Sequence, residues 1–116
     1  MKSSKLSRKS ASKISGTGVK KVTEQFGVRQ VKGGVEFRAC CPEAGIVQVA
    51  GDFNNWQPQQ TPMRKLRGGV WKVKLPLSAG SYRYRLVVDG KWQHDPYNNA
   101  TELNPYGELN SVVQVN

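Results

Sequence analysis

Ser81–Pro96, SYRYRLVVDGKWQHDP, sets two runs of β-forming residues on either side of Asp89-Gly90. An Asp-Gly link between such runs predicts a β-hairpin with a two-residue turn. With the turn fixed there, Val88 pairs with Lys91, Val87 with Trp92, Leu86 with Gln93 and Arg85 with His94. Side chains alternate along a strand and directly opposed residues share a face, so Arg83, Arg85, Val87, Trp92 and His94 fall on one side. Tyr82, Tyr84, Leu86 and Val88 fall on the other. The second set is apolar enough for a core. The first mixes guanidinium groups with an indole, which suits a wet surface that meets something flat and polar.

Outward from this hairpin the chain reads as short strands separated by turns. VEFRAC places Val35, Phe37 and Ala39 on one face, and Ile46–Ala50 places Val47 and Val49 on one side. In VWKVKLPL, Trp71, Val73 and Leu75 alternate with Lys72 and Lys74, so Trp71 is expected to face the core. GDFNNWQPQQTP reads as a long polar loop, Tyr97–Gly107 as a second loop, and Ser111–Val115 as the closing strand. About six or seven short strands at this spacing, with Gly and Pro turns and no helical period, describe an all-β antiparallel sandwich. Residues 1–18 are rich in Ser, Lys and Gly and are expected to be disordered. Residues 19–34 read as a linker with a short strand near Val28–Val31. The chain therefore divides into a basic, largely disordered tail or linker over 1–34 and a sandwich over 35–116.

The net charge of +10 is uneven. Residues 1–34 carry nine Lys or Arg and one acid, whereas residues 35–116 carry nine basic residues and seven acids. The basic character thus belongs to the tail, which solubilises the chain or docks on an acidic surface. Cys40 and Cys41 are adjacent and point to opposite faces of an extended strand, so they do not bridge each other easily. Two unpaired thiols, no apolar run after the basic N-terminus and no membrane span lead to a cytoplasmic expectation. His94 is the only histidine, so neither a metal set nor a cofactor is expected.

Trp56 stands in a loop too polar to be buried, and Trp92 shares a polar face with Arg85. Two exposed indoles suit a sugar: axial C–H bonds pack on the electron-rich ring face, while equatorial hydroxyls need donors and acceptors in the ring plane. Arg85, Asn110 and the Asn-rich loop could supply those. Stacked nucleobases would use similar parts but need a basic groove, and the sandwich carries a balance of only +2 over 35–116. Nucleic acid is therefore not the expected partner. Catalysis is not expected either, because Asp89 is used by a turn, Asp95 sits before Pro96, and Asp52, Glu102 and Glu108 lie in loops with no sign of a deep cleft holding two opposed carboxyls.

Taken together, VQVAGDFNNWQP, LPLSAGSYRYRLVVDGKWQHDP and PYGELNSVVQV resemble the glycogen-binding module of the β subunit of AMP-activated protein kinase. More broadly they resemble the family-48 carbohydrate-binding modules, which include N-terminal domains of branching and debranching enzymes. The resemblance covers about Val35 to Val115. It implies an immunoglobulin-like β-sandwich that binds α-1,4-linked glucans such as glycogen, starch or maltooligosaccharides without catalysing their reaction. Trp56 matches the first stacking tryptophan, Trp92 the second, and Asn110 the asparagine that bonds sugar hydroxyls. Arg85 stands where the kinase relative has a lysine, Tyr106 where it has a leucine that enters the glucan's curve, and Glu108 where it has a threonine. A kinase or glycogen-metabolising enzyme is the protein partner this implies. Neither the kinase subunit's C-terminal assembly region nor a catalytic barrel is seen, so a stand-alone module or a piece of a longer chain is expected. The alternative reading is a protein–protein or regulatory adaptor with a basic docking tail.

Overall fold

The computed structural model describes residues 26–116, and the disordered tail expected over 1–18 lies outside them. Nine strands form two antiparallel sheets, as an all-β sandwich requires. The first sheet has the order β1-β2-β5-β4, from β1 (Gly27–Val31), β2 (Gly34–Cys40), β4 (Arg64–Lys65) and β5 (Val70–Leu75). The second has the order β3-β6-β9-β8, from β3 (Val47–Gly51), β6 (Gly80–Val88), β8 (Thr101–Leu103) and β9 (Leu109–Val115), with β7 (Lys91–Gln93) pairing β6. The short strand expected near Val28–Val31 is β1, and it pairs with β2 along its whole length.

The hairpin forms in the expected register: Leu86 opposes Gln93, Val87 opposes Trp92 and Val88 opposes Lys91. Arg85–His94 lies past the end of β7. Asp89 and Gly90 have φ values of 48° and 83°, the pair of positive angles that lets a two-residue turn follow the strand twist. The Asp89 carboxylate also accepts from the Gly45 and Ile46 backbone N–H groups, each at 2.9 Å. The turn thereby anchors the β2–β3 connection, a role its sequence position does not reveal. β6 is the central strand, flanked by β3 on one edge and by β9 and β7 end to end on the other.

Alternation supplies the core. Val35, Phe37, Ala39 and Trp71 from the first sheet meet Val47, Val49, Tyr84, Leu86, Val113 and Val115 from the second. Burying each of the larger apolar side chains stabilises the fold by about 1.5–3 kcal/mol relative to exposure. Phe37 and Tyr84 join the sheets edge to face, 4.9 Å between centroids. Trp71 is buried, and its Nε1 donates to the Cys41 carbonyl at 3.0 Å.

A polar knot is set into this core beside β6. The Tyr84 hydroxyl donates to Asp95 Oδ2 at 2.7 Å, Asp95 Oδ1 accepts from the Tyr97 N–H at 3.0 Å, and the Asp95 N–H donates to Ser111 Oγ at 2.8 Å. Asn98 Nδ2 donates to the Tyr84 hydroxyl and to the Val112 carbonyl. Burial pushes the Asp95 carboxyl above its ordinary value, against the opposing pull of the Tyr84 and Tyr97 hydrogen bonds and nearby His94. Burial, then the neighbouring carboxylate, likewise pushes the Tyr84 hydroxyl far up. Asp95 therefore ties the chain after β7 to β6 and β9. Among the described residues no helix is long and apolar enough to cross a membrane.

Candidate functional site

The site lies on the outward face of the second sheet and begins where β3 ends. Gly51 is required there, because an added Cβ would lie 2.5 Å from the Arg83 carbonyl oxygen and 2.8 Å from the Phe53 ring. The following residues wrap around the buried Asn54 side chain. Its Oδ1 accepts from the Gly51 and Gln57 N–H groups, while its Nδ2 donates to the Val49 carbonyl and Thr61 Oγ1. This knot forces Asn55 and Trp56 to φ values of 56° and 59°. Left-handed backbone at a bulky residue costs about 1–2 kcal/mol, and strain of this kind collects where a side chain must be aimed.

Asp52 does the aiming. Its Oδ1 accepts from Trp56 Nε1 at 3.2 Å, and its Oδ2 accepts from the Arg83 backbone N–H at 2.8 Å. The Arg83 guanidinium adds an ion pair to Asp52 Oδ2 at 3.6 Å and a hydrogen bond to Glu102 on β8. That bond, then the charges of Glu102 and Asp52, hold the Arg83 proton more tightly than usual. The first indole is thus tethered, through one carboxylate, to β6 and β8.

Trp92 enters from the hairpin 43% exposed, opposite Val87. Val87 and Ala50 are buried but stand apart from the core cluster, and they oppose Trp92 and Arg85 respectively. The outward face therefore has an apolar floor of its own. Arg85 Nη1 pairs with Glu108 Oε1 at 2.8 Å, and Nη2 reaches the Trp92 carbonyl at 3.5 Å. Asn104 closes the β8–β9 turn: its Oδ1 accepts from the Tyr106 and Glu108 N–H groups, and Gly107 has φ 83°. Tyr106 stands at the tip of this turn, 89% exposed.

Trp56, Arg85, Trp92, Tyr106, Glu108 and Asn110 all line one cleft of about 600 Å³. Asp52, Arg83, Glu102 and Asn104 also line it; the hairpin register puts Arg83 on this face and Asn104 belongs to the loop considered for sugar contacts, whereas Asp52 and Glu102 were not expected here. The turn signal Asn104-Pro105-Tyr106-Gly107 accounts for the position of Asn104. No local pattern marks Asp52: Trp56 is four residues on, but the Arg83 that fixes the carboxylate is 31 residues away. Asn98, one of the loop asparagines considered for sugar contacts, spends its side chain on the polar knot instead. Two buried polar atoms at the cleft, Arg85 Nε and Asn110 Oδ1, have no hydrogen-bond partner among the described residues. Leaving such groups unpaired costs about 1–3 kcal/mol each. A ligand hydroxyl, both donor and acceptor, has the chemistry to serve either atom once the side chain turns it toward the cleft. Among the described residues no cluster of His, Cys, Asp or Glu could hold a metal ion.

The family described as the glycogen recognition site of AMP-activated protein kinase matches residues 41–116. Among curated proteins, the 1,4-alpha-glucan branching enzyme GlgB 2 of Xanthomonas campestris is 38% identical over 89 residues, 69% of this chain and 12% of the enzyme. The branching enzyme of Pseudomonas putida is 41% identical over 91 residues, 70% of this chain and 12% of the enzyme. That of Burkholderia lata is 42% identical over 79 residues, 62% of this chain and 11% of the enzyme. The chain thus spans a small fraction of the length of these relatives. Since the family match runs from the end of β2 through β9 and includes both cleft tryptophans, the chain belongs to the family of glycogen-recognition modules named for AMP-activated protein kinase.

Proposed function

We propose that this chain is a non-catalytic module that binds α-1,4-linked glucans in the cleft on the second sheet. The observation that carries the reading is the convergence of Trp56 and Trp92 on a single cleft that Arg85 and Asn110 also line, each with an unpartnered polar atom. Each indole offers about 0.5–1.5 kcal/mol of stacking beyond area burial. Arg85, Asn110 and Glu108 supply hydrogen bonds worth about 1 kcal/mol net apiece. Tyr106 covers one end of the bound chain from the turn tip. After the cost of ordering a flexible oligosaccharide, affinity for a single chain falls at about 10 μM to 1 mM. A glycogen particle presents many chains, which raises retention through avidity.

The carboxylates of the cleft support a binding role over hydrolysis. Asp52, Glu102 and Glu108 are each engaged by Arg83 or Arg85, so each is a positioning group in a salt-bridged frame. The module's service is to hold a partner, a kinase or a glycogen-metabolising enzyme, on its glucan. Two free thiols at Cys40 and Cys41 fit a reducing compartment such as the cytoplasm. Affinity electrophoresis in gels containing glycogen tests the reading. The unsubstituted chain is retarded, and Trp92→Ala and Trp56→Ala migrate as in a plain gel. Equal retardation of all three would overturn it.

A further inference from the structure

The outer face of the first sheet carries a charge pattern that folding alone disfavours. Residues alternate there so that Val35, Phe37, Ala39 and Trp71 point inward, leaving Glu36, Arg38, Lys72 and Lys74 outward. The register aligns these into two rows across the strands. One row is Arg29, Glu36 and Lys74; the other is Arg38, Lys72 and Arg64. Directly opposed like charges destabilise a sheet, and the second row is three cations side by side. Glu36 offsets part of this, with ion pairs to Arg29 at 3.2 Å and to Arg38 and Lys72 at 3.5 Å. Arg64 and Lys74 form no ion pair among the described residues. Five cations thus face outward around a single carboxylate that is itself nearly buried.

A second observation points the same way. Residues 1–25 carry seven Lys or Arg and one acid, so that stretch of the chain brings no acidic run of its own to these cations.

We propose that the outer face of the first sheet docks an acidic protein segment, leaving the cleft on the second sheet free for its own ligand. The face already binds a carboxylate, Glu36, through three cations, so its chemistry for Asp and Glu is on display. Its outward positions on β1, β2, β4 and β5 hold no aromatic ring, so it lacks the stacking platform that single-stranded nucleic acid uses. Alternate residues of an extended peptide repeat at about 6.6–6.8 Å, as do Lys72 and Lys74 on their own strand. An extended segment lying along the strands, with acids at every second position, therefore matches the spacing from one row to the next. The contact is electrostatic and weakens as salt shortens the screening length.

The test uses the full chain and two fluorescent probes of similar length at low salt, a Glu-rich 16-residue peptide and a single-stranded RNA. The peptide is expected to bind, and the double variant R64Q/K74Q is expected to bind it at least fivefold more weakly. The same variant retains the unsubstituted affinity for maltoheptaose, and its thermal midpoint is not lowered, because like-charge repulsion has been relieved. Peptide affinity unchanged in R64Q/K74Q would assign binding to residues 1–25 alone and overturn the proposal. RNA bound more tightly than the peptide, with the same loss in the variant, would overturn the choice of partner. Neither result bears on the glucan cleft, whose titration stands apart.

Discussion

The two outer faces of this sandwich are built from the same antiparallel alternation yet carry opposite chemistry. The first sheet, its turns and the β2–β3 connection hold eight lysines and arginines against two acids. The second sheet with its loops holds three against five. The near-neutral balance of the sandwich as a whole conceals this division. On the second face, Arg83 and Arg85 are paired with Asp52, Glu102 and Glu108, and the pairs frame two indoles. The first face has no indole outward and leaves Arg64 and Lys74 without an ion pair among the described residues. The difference is one of charge pairing: in the cleft the cations are matched by carboxylates beside the indoles, which supports the proposal of a neutral, ring-bearing ligand there. The acidic segment proposed above has its charge complement on the other side.

Removing an indole breaks this comparison most severely. Trp92→Ala and Trp56→Ala each forfeit stacking and buried area worth about 2 kcal/mol or more, an affinity loss of about thirtyfold. Isothermal titration with maltoheptaose checks this, with unchanged circular dichroism as the folding control. Loss of the fold instead of the binding would show that these rings belong to the core.

Next in size is the polar knot that lies under the second sheet and has no counterpart under the first. Tyr84→Phe removes the hydroxyl that donates to Asp95 and costs about 1.5–3 kcal/mol of stability at neutral pH. The sign with pH follows from Asp95. Its folded value is raised, so the folded state holds the proton more tightly than the unfolded chain, and this group's contribution to stability improves as pH falls through that raised range. Tyr84→Phe removes an interaction that opposes the rise, so the deficit of the variant narrows in mild acid. Urea unfolding across that range measures it, and a deficit that widens as pH falls would contradict the account.

Asp52→Asn sharpens the comparison within the cleft. It removes the charge that joins Trp56 to Arg83, frees the indole to reorient, and weakens maltoheptaose binding by about threefold to tenfold through the cost of re-ordering one large side chain. The fluorescence maximum of the unbound protein should shift as well, which a change confined to sugar contacts would not produce. The smallest effect lies on the opposite face. Arg64→Gln relieves one member of a row of like charges and raises stability by at most about 0.5 kcal/mol, read as a slightly higher thermal midpoint with the glucan affinity untouched.

What could be read from the chain alone follows the range of the interactions. The Asp89-Gly90 hairpin was legible because a turn and its flanking strands are local, and its register delivered Arg85 and Trp92 to one face. Alternation likewise gave Val35, Phe37, Ala39, Val47, Val49 and Trp71 their inward direction. β8 was not legible: Thr101, Glu102 and Leu103 are all exposed, with no apolar alternation, and form a strand only because the Asn104 turn folds them back on β9. β4, two exposed residues, left no pattern either. The role of Asp52 depends on Arg83 and Glu102, and that of Asp95 on Tyr84 and Ser111. Such contacts are fixed by tertiary packing and carry no spacing rule. The charge division between the faces was hidden for the same reason, since a sum over residues does not know which sheet each belongs to.

The central claim is that Trp56 and Trp92 together form the glucan platform, and the three indoles of the chain allow a direct test with an internal control. In a nitrogen–proton NMR titration with maltoheptaose, the account predicts that the Nε1–H signals of Trp56 and Trp92 move together with one affinity. The Nε1–H of Trp71, buried and bonded to the Cys41 carbonyl, should stay in place. Signals of Trp56 and Trp92 that remain still at saturating sugar, or a shift confined to Trp71, would contradict it.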